Sequence, residues 1–270
     1  MIWAAIAFLL VFALYLFLIA PAMRHSKDIS KLLGYDYAHR GLFDNKAGVP
    51  ENSLAAIQKA AEQGYGIELD VQFTQDYELA VFHDKDLTRM CGVDANLSTV
   101  ASADLGKYHL TGTSETIPLL SSVLKVVNGR VPLIVEIKHY SNVSLLSSKV
   151  NEMLSRYNGP YCVESFHPLA MRWFKKNAPS VIRGQLASGI IGAGTPKPLQ
   201  RVLKYLLLNV FSRPDFIAYD VRSKVNVSLW LLKRIFNPLF VAWTIRGREE
   251  ECKAQKHYDL QIFEGHTPGH

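Results

Sequence analysis

Between residues 35 and 263 the sequence alternates, unit after unit, between short apolar runs and longer segments of helical periodicity. The runs are Tyr35–His39, Gly66–Phe73, Val131–Ile137, Tyr161–Ser165, Val181–Leu186, Phe216–Val221, Phe240–Ile245 and Leu260–Phe263. Short runs apolar on both faces are what parallel strands covered on both sides require. Helical patterns occupy Ser53–Gln63, Leu119–Val127, Val143–Tyr157, Pro168–Lys176, Leu199–Phe211, Ser228–Phe236 and Arg248–His257, several opening on Ser or Pro. Eight such units predict an α/β fold, a TIM-type (β/α)8 barrel, for which 270 residues is a suitable length. An open doubly wound sheet does not normally need eight successive units. Residues 85–117, rich in Ser, Thr, Gly and Asp, break the alternation. They read as an insertion after the second strand, above the C-terminal face where barrel active sites sit. No eighth outer helix is expected after the last strand.

Polar residues interrupt three of these strands where a barrel core calls for aliphatics. In Gly66-Ile-Glu-Leu-Asp-Val, Glu68 and Asp70 are two apart and share a face, while Ile67, Leu69 and Val71 take the other. Glu136 and Lys138 repeat the device on the third strand. Carboxylates turned into a barrel mouth repel one another and lose hydration, so they need a cation or several donors. One solution is an internal salt-bridge network of Glu68, Asp70, Glu136, Lys138 and Arg40. The other is a hard divalent ion, Mg2+ or Ca2+, for which three oxygen ligands suit better than for zinc. His39 ends the first strand, and His83 precedes the insertion. Imidazoles exchange protons near neutral pH, so the pair could supply one base and one acid. Ser165 lacks the G-x-S-x-G elbow of serine hydrolases. Gly189–Gly194 lacks a phosphate-loop signature and reads as a turn. His266 and His270 read as a solvated tail.

The 49% hydrophobic content is enough for one large core, and no composition break marks a second domain. A net charge of +6 suits an anionic partner. No zinc-finger spacing, basic tract or aromatic RNA-binding motif accompanies it, so no nucleic-acid partner is expected. Cys91, Cys162 and Cys252 have no paired spacing, which excludes a disulfide framework and favours a reducing compartment.

The sequence preceding the barrel is of another kind. Residues 1–23 contain no charged side chain, and Ile2–Ala20 is almost wholly apolar. A bilayer core needs about 20 helical residues, so this segment is long enough to span it. Ala20-Pro21-Ala22 resembles a signal cleavage site, but a basic n-region is missing and the apolar run exceeds a usual signal core. The expected organisation is a transmembrane anchor over 1–23, a juxtamembrane linker over 24–34 and a barrel over 35–270. Arg24, Lys27 and Lys31 follow the span, which places the barrel on the cytoplasmic side. Surplus apolar residues Val202, Tyr205 and Leu208, with Trp230, Lys233, Arg234 and Phe236 on the next helix, read as cover for the missing eighth helix, as a dimer contact or as a second contact with an anionic leaflet.

Taken in order, His39-Arg40-Gly41, Pro50-Glu51-Asn52-Ser53, Glu68-Leu-Asp70, His83-Asp84, Glu136-Ile-Lys138, Ser165-Phe166 and Trp243-Thr244 resemble the signature of the glycerophosphodiester phosphodiesterase family. The resemblance runs from Tyr35 to Phe263. It implies a metal-binding trio at Glu68, Asp70 and Glu136, catalytic histidines at His39 and His83, and phosphate contacts from Arg40 and Lys138. Glu51, Asn52 and Trp243 would support the site. Glu264 departs from the pattern, since the family usually shows Thr-Asp there, and Ser53 replaces a threonine. The implied reaction is metal-dependent hydrolysis of glycerophosphodiesters to glycerol 3-phosphate and an alcohol, with a cyclic phosphate formed through the glycerol 2-hydroxyl. Alternatives are a lysophospholipase-D-like reaction on membrane lysophospholipids, or a catalytically silent phosphodiester-binding barrel. Nothing in the sequence fixes the oligomeric state.

Overall fold

The computed structural model describes residues 1–22, 29–138, 140–189, 196–223 and 226–269. Arg24 and Lys27 of the linker, five of the six residues of Gly189–Gly194, and His270 lie outside the described residues. Nine strands form one sheet: β1 (Tyr37–His39), β2 (Gly66–Phe73), β3 (Leu79–Val81), β4 (Leu133–Ile137), β5 (Tyr161–Ser165), β6 (Arg183–Ala187), β7 (Phe216–Asp220), β8 (Leu239–Ile245) and β9 (Leu260–Phe263). Eight are parallel and run β1-β2-β4-β5-β6-β7-β8-β9, and β9 pairs back onto β1 to close a barrel. The ninth, β3, was not expected from the sequence. It lies antiparallel on β2, with Val81 opposite Val71, and leads into the insertion.

The helices are α1 (Ile2–Ile19), α2 (Leu54–Glu62), α3 (Thr88–Cys91), α4 (Leu120–Val127), α5 (Val143–Leu154), α6 (Pro168–Asn177), α7 (Lys197–Lys204), α8 (Asn209–Ser212), α9 (Val227–Leu231) and α10 (Arg248–Ala254). Side chains satisfy orphan amides at several starts: Ser53 accepts from Ala56, Asn142 from Leu145 and Asn226 from Leu229. The helix expected over Leu199–Phe211 is broken. Leu206 takes a positive φ of 58° and turns inward to pack with Ile19, Ile217 and Tyr219. Burial of that side chain overrides a locally helical sequence. Val202, Tyr205 and Leu208 are half-buried rather than projecting, whereas Trp230 is exposed. After α9 the chain continues as a single π-helical turn, Leu232–Phe236.

Strand alternation sorts the core into two shells. Outward-facing Ile67, Leu69, Val71, Leu133, Val135 and Ile137 pack beneath the helices. Inward-facing Tyr37, Ile134, Cys162, Phe216 and Ile262 fill the N-terminal end of the barrel. Gly184 is paired with Phe216, whose ring occupies the space a Cβ there would need. The Tyr37 hydroxyl donates to Leu32 O at 2.8 Å, fixing the short turn Ile29–Leu32 under this end. The insertion has a small core of its own, including Phe82, Leu87, Met90, Leu97 and Leu105. The three cysteines are free. His266 is not solvated as expected: its ring packs edge-on to Phe263, with Nε2 3.6 Å from Glu251.

Candidate active site at the C-terminal rim of the barrel

Glu68 and Asp70 come from β2 and Glu136 from β4, where the register sets Asp70 beside Glu136. All three are buried, and one oxygen from each lies within 4.8 Å of the others. Lys138, two residues beyond Glu136, brings Nζ to 3.2 Å from Asp70 Oδ1 and 3.0 Å from Glu136 Oε1. The lysine and the trio are therefore one cluster. The salt-bridge network foreseen from the sequence exists, and it does not exclude a cation. The three carboxylates exceed the charge that Lys138 and Arg40 offset. Asn52 Oδ1 is a buried oxygen without a hydrogen-bond donor, and Glu136 Oε1 has only the Lys138 ammonium beside it. A hard cation fits such a donor set.

Arg40 reaches the cluster through its backbone. It occupies the left-handed region, φ 55°, and its N–H donates to Glu68 Oε2 at 3.0 Å. Gly41 follows with φ 80°, and a Cβ there would meet the Ala56 carbonyl carbon at 2.8 Å, so the close approach to α2 needs glycine. Asn52, also left-handed at φ 56°, donates from its backbone to Arg40 O at 2.8 Å and from its side chain to Asp70 Oδ2 at 2.9 Å. Two neighbouring turns in sparsely populated conformations thus point at the same carboxylates, as functional sites often do. The Arg40 guanidinium lies 3.4 Å from Asp70 and 2.6 Å from Glu51.

Both histidines face this cluster, each with Nδ1 held by a carboxylate. His39 Nδ1 is 2.5 Å from Glu264 Oε2, and its Nε2 is 3.9 Å from Glu68. His83 Nδ1 is 2.7 Å from Asp84 Oδ1. Gln72 braces the second dyad by donating to Phe82 O and Asp84 O at 2.8 and 2.7 Å. Three participants escaped the sequence reading. Glu264, noted only as a departure, orients His39 and is itself held by Arg246 Nε at 2.6 Å. Arg89, in the insertion, donates to Asp84 at 2.6 Å and to both Glu51 oxygens, which ties α3 to the site. Glu164 of β5 is buried opposite Glu136 as a fourth carboxyl. The signals were present as lone charges, but their partners lie far along the chain.

Of the remaining expected site residues, Glu51 clamps Arg40 and Arg89 from below the insertion rather than facing the trio. Trp243 stacks edge-on against Phe166 at 5.4 Å, with its indole N–H buried and unpaired. Ser165 is structural, since its hydroxyl donates to Ile137 O at 2.6 Å.

The electrostatics divide the trio. Burial, then repulsion from Asp70 and Glu136, pushes Glu68 well above the usual carboxylate range. Glu136 is raised by burial, although Lys138 opposes it. Burial also acts on Asp70, but Lys138, His83 and Arg40 outweigh it and hold the carboxylate well below its ordinary value. Burial lowers His39. Glu264 resists its own burial through the hydrogen bond and charge of His39 and the charge of Arg246, falling to about 2. Glu164 is pushed well up by burial and by Glu136 and Asp70.

A closed (β/α)8 barrel whose C-terminal rim joins a carboxylate trio, two carboxylate-held imidazoles, a buried lysine and a half-buried arginine is the architecture of a phosphodiesterase. The sequence from residue 39 to 246 matches the Glycerophosphoryl diester phosphodiesterase family, and the chain belongs to it. A glycerophosphodiester phosphodiesterase from Bacillus altitudinis is 32% identical over 57% of this chain and 67% of its own. Human lysophospholipase D GDPD1 is 31% identical over 53% of this chain and 48% of its own, so the match spans about half of that relative. Among solved structures, an Oleispira antarctica phosphodiesterase bound to sn-glycerol 3-phosphate superposes with a TM-score of 0.71 at 23% identity, covering 87% of this chain and 94% of that one. A Thermotoga maritima glycerophosphodiester phosphodiesterase gives 0.63 at 23% identity, covering 85% and 94%. At such identities the likeness establishes the fold.

Proposed function

We propose that this chain hydrolyses glycerophosphodiesters to glycerol 3-phosphate and an alcohol, with His39 and His83 as the proton-transfer pair. The observation that carries this reading is the matched anchoring of the two imidazoles: a carboxylate holds each Nδ1, which leaves each Nε2 to take or give a proton beside the same carboxylate cluster. Glu68, Asp70 and Glu136 would hold one divalent ion, Mg2+ or Ca2+, which suit oxygen ligands. Such an ion, when bound, supplies positive charge to a nonbridging phosphate oxygen. Buried Lys138 and half-buried Arg40, both ion-paired, add fixed positive charge against the phosphate. One imidazole removes the proton from the attacking hydroxyl, and the other returns one to the departing alcohol. Phe166 and Trp243 line the β5 and β8 side of the mouth, where the unpaired indole N–H can donate to an oxygen of the substrate.

The test is release of glycerol 3-phosphate from glycerophosphocholine by the purified full chain. Activity should vanish in EDTA and return with Mg2+ or Ca2+. Phosphodiester binding without turnover in either metal would identify a silent barrel instead.

One observation favours a lipid version of the substrate. Ile2–Ile19 is a single apolar helix whose first 14 residues of chain are exposed, as an uncleaved membrane anchor would be. The last turn of this helix is hydrogen-bonded to the barrel, which a cleaved leader would not be. With the basic residues that follow it, this supports a single-pass chain whose barrel, residues 35–270, lies on the cytoplasmic side. Lysophospholipids, single-chain phosphodiesters resident in the membrane, are then natural substrates.

A further inference from the structure

The end of α1 is built into the barrel wall. Asn209 donates to Ile19 O at 2.9 Å, Arg213 donates to Phe17 O and Ala20 O at 2.8 Å each, and Ala22 N–H donates to Pro214 O at 2.9 Å. Ile19 is fully buried in a cluster with Leu206 and Leu231. The polar partners all precede β7 and so belong to the N-terminal end of the barrel. About one helical turn earlier, the Tyr15 hydroxyl lies 2.7 Å from Ser228 Oγ. Ser228 stands in the first turn of α9, which follows the C-terminal end of β7. Traced from Ala22 back to Tyr15, α1 therefore climbs the wall toward the catalytic rim. The exposed residues 2–14 continue beyond it for about 20 Å.

A second observation does not involve α1. Helices α5, α6 and α9 begin shortly after strands end, so their first turns lie on the catalytic rim. Those turns expose Leu145, Leu169 (49% exposed), Val227 (51%) and Trp230 (56%), and none contains an acidic residue. The first turn of α10, by contrast, carries Glu249, Glu250 and Glu251. Toward the opposite end of the barrel, the exposed large hydrophobics among the described residues are Leu33, Phe211, Ile235 and, on α1 itself, Phe17.

We propose that the catalytic rim over α5–α9 seats on the phospholipid leaflet that α1 enters. The mouth of the site then opens onto that leaflet and receives single-chain phosphodiester lipids without their crossing water. Apolar side chains and an aromatic ring without nearby acids are what an interfacial surface needs, and the rigidly docked helix fixes which face meets the lipid. This inference rests on α1 being a membrane anchor.

The experiment uses the full chain in vesicles of phosphatidylcholine and phosphatidylglycerol. With Cys91 and Cys252 replaced by serine, a fluorophore is placed at Leu169→Cys, at Val227→Cys or, as the opposite-end control, at Leu33→Cys. Lipids carrying a shallow nitroxide should quench the first two at least about threefold more than the third. Equal quenching at all three overturns the orientation while leaving the anchor intact. If the chain does not float with the vesicles after alkaline washing, the anchor reading falls and the orientation falls with it. Because quenching needs no turnover, it decides the matter whatever the substrate. A second arm uses Leu169→Ser combined with Trp230→Ser. Turnover of vesicle-borne lysophosphatidylcholine should drop about tenfold while soluble glycerophosphocholine is cleaved as before. Equal effects on the two substrates, or none on either, count against the proposal.

Discussion

The two ends of the barrel interior are built from opposite materials on the same strands. At the N-terminal end Tyr37, Ile134, Cys162 and Ile262 meet in apolar packing. Two residues further along each strand, on the same face, stand His39, Glu136, Glu164 and Glu264. The apolar layer can stabilise the fold by burial alone, at roughly 25 cal/mol per Å2 removed from water. The ionisable layer loses hydration and recovers it only through pairing, so it weakens the fold in exchange for reactivity. One end holds the barrel closed, and the other end depends on that closure to keep like charges together.

Substitutions should separate the two ends cleanly. The largest effect is expected from Asp70→Asn, which removes a proposed cation ligand and leaves Lys138 and Arg40 short of a partner. Hydrolysis should fall at least about 10^3-fold, and calorimetric titration should show weakened divalent-ion binding. Near-normal turnover in EDTA would make the upper layer a structural salt-bridge cluster, and the contrast would disappear. His39→Ala comes next, with kcat lowered by about 10^2–10^4 while the circular dichroism spectrum and melting temperature stay close to the parent. Phe216→Ala should behave in the reverse way, costing roughly 3–5 kcal/mol of stability in denaturant titration through a cavity beside Gly184, with kcat little changed at a temperature where the fold persists. A large loss of kcat there would show that the lower layer sets the geometry of the upper one. Glu264→Gln keeps a hydrogen bond to His39 but not the charge, and a fall in kcat of about 10–100-fold with KM unchanged is expected. The smallest effect belongs to Glu164→Gln. Burial and its acidic neighbours push this carboxyl well up, toward the neutral form that an amide resembles, and activity should stay within about threefold.

The apolar end was the more legible in the sequence. Strands β2, β5 and β9 begin and end where alternation and length place them, and the inward set on β2 follows from a period of two. The trio was readable for the same reason, since three carboxylates interrupt otherwise aliphatic strands. Pairings were not readable. His39 with Glu264 spans 225 residues and Arg89 with Glu51 spans 38, and no local rule links such positions. The break at Leu206 was equally hidden, because residues 199–211 have a helical pattern and only packing against α1 and β7 bends the chain. Strand β3 was missed because three residues, Leu79–Val81, are too few to show a period.

The position of β9 between β8 and β1 has a consequence for synthesis. The first barrel strand cannot complete its pairing until residues 260–263 have left the ribosome, because one of its two neighbours is made last. Joining strands so far apart carries a large loop-closure entropy and makes folding slow. His39 gains its carboxylate in the same step, since Glu264 directly follows β9. A nascent barrel therefore exposes unpaired strand edges until β9 is made, and His39 has no carboxylate partner before then. Closure of the barrel and the anchoring of the His39 imidazole are one event.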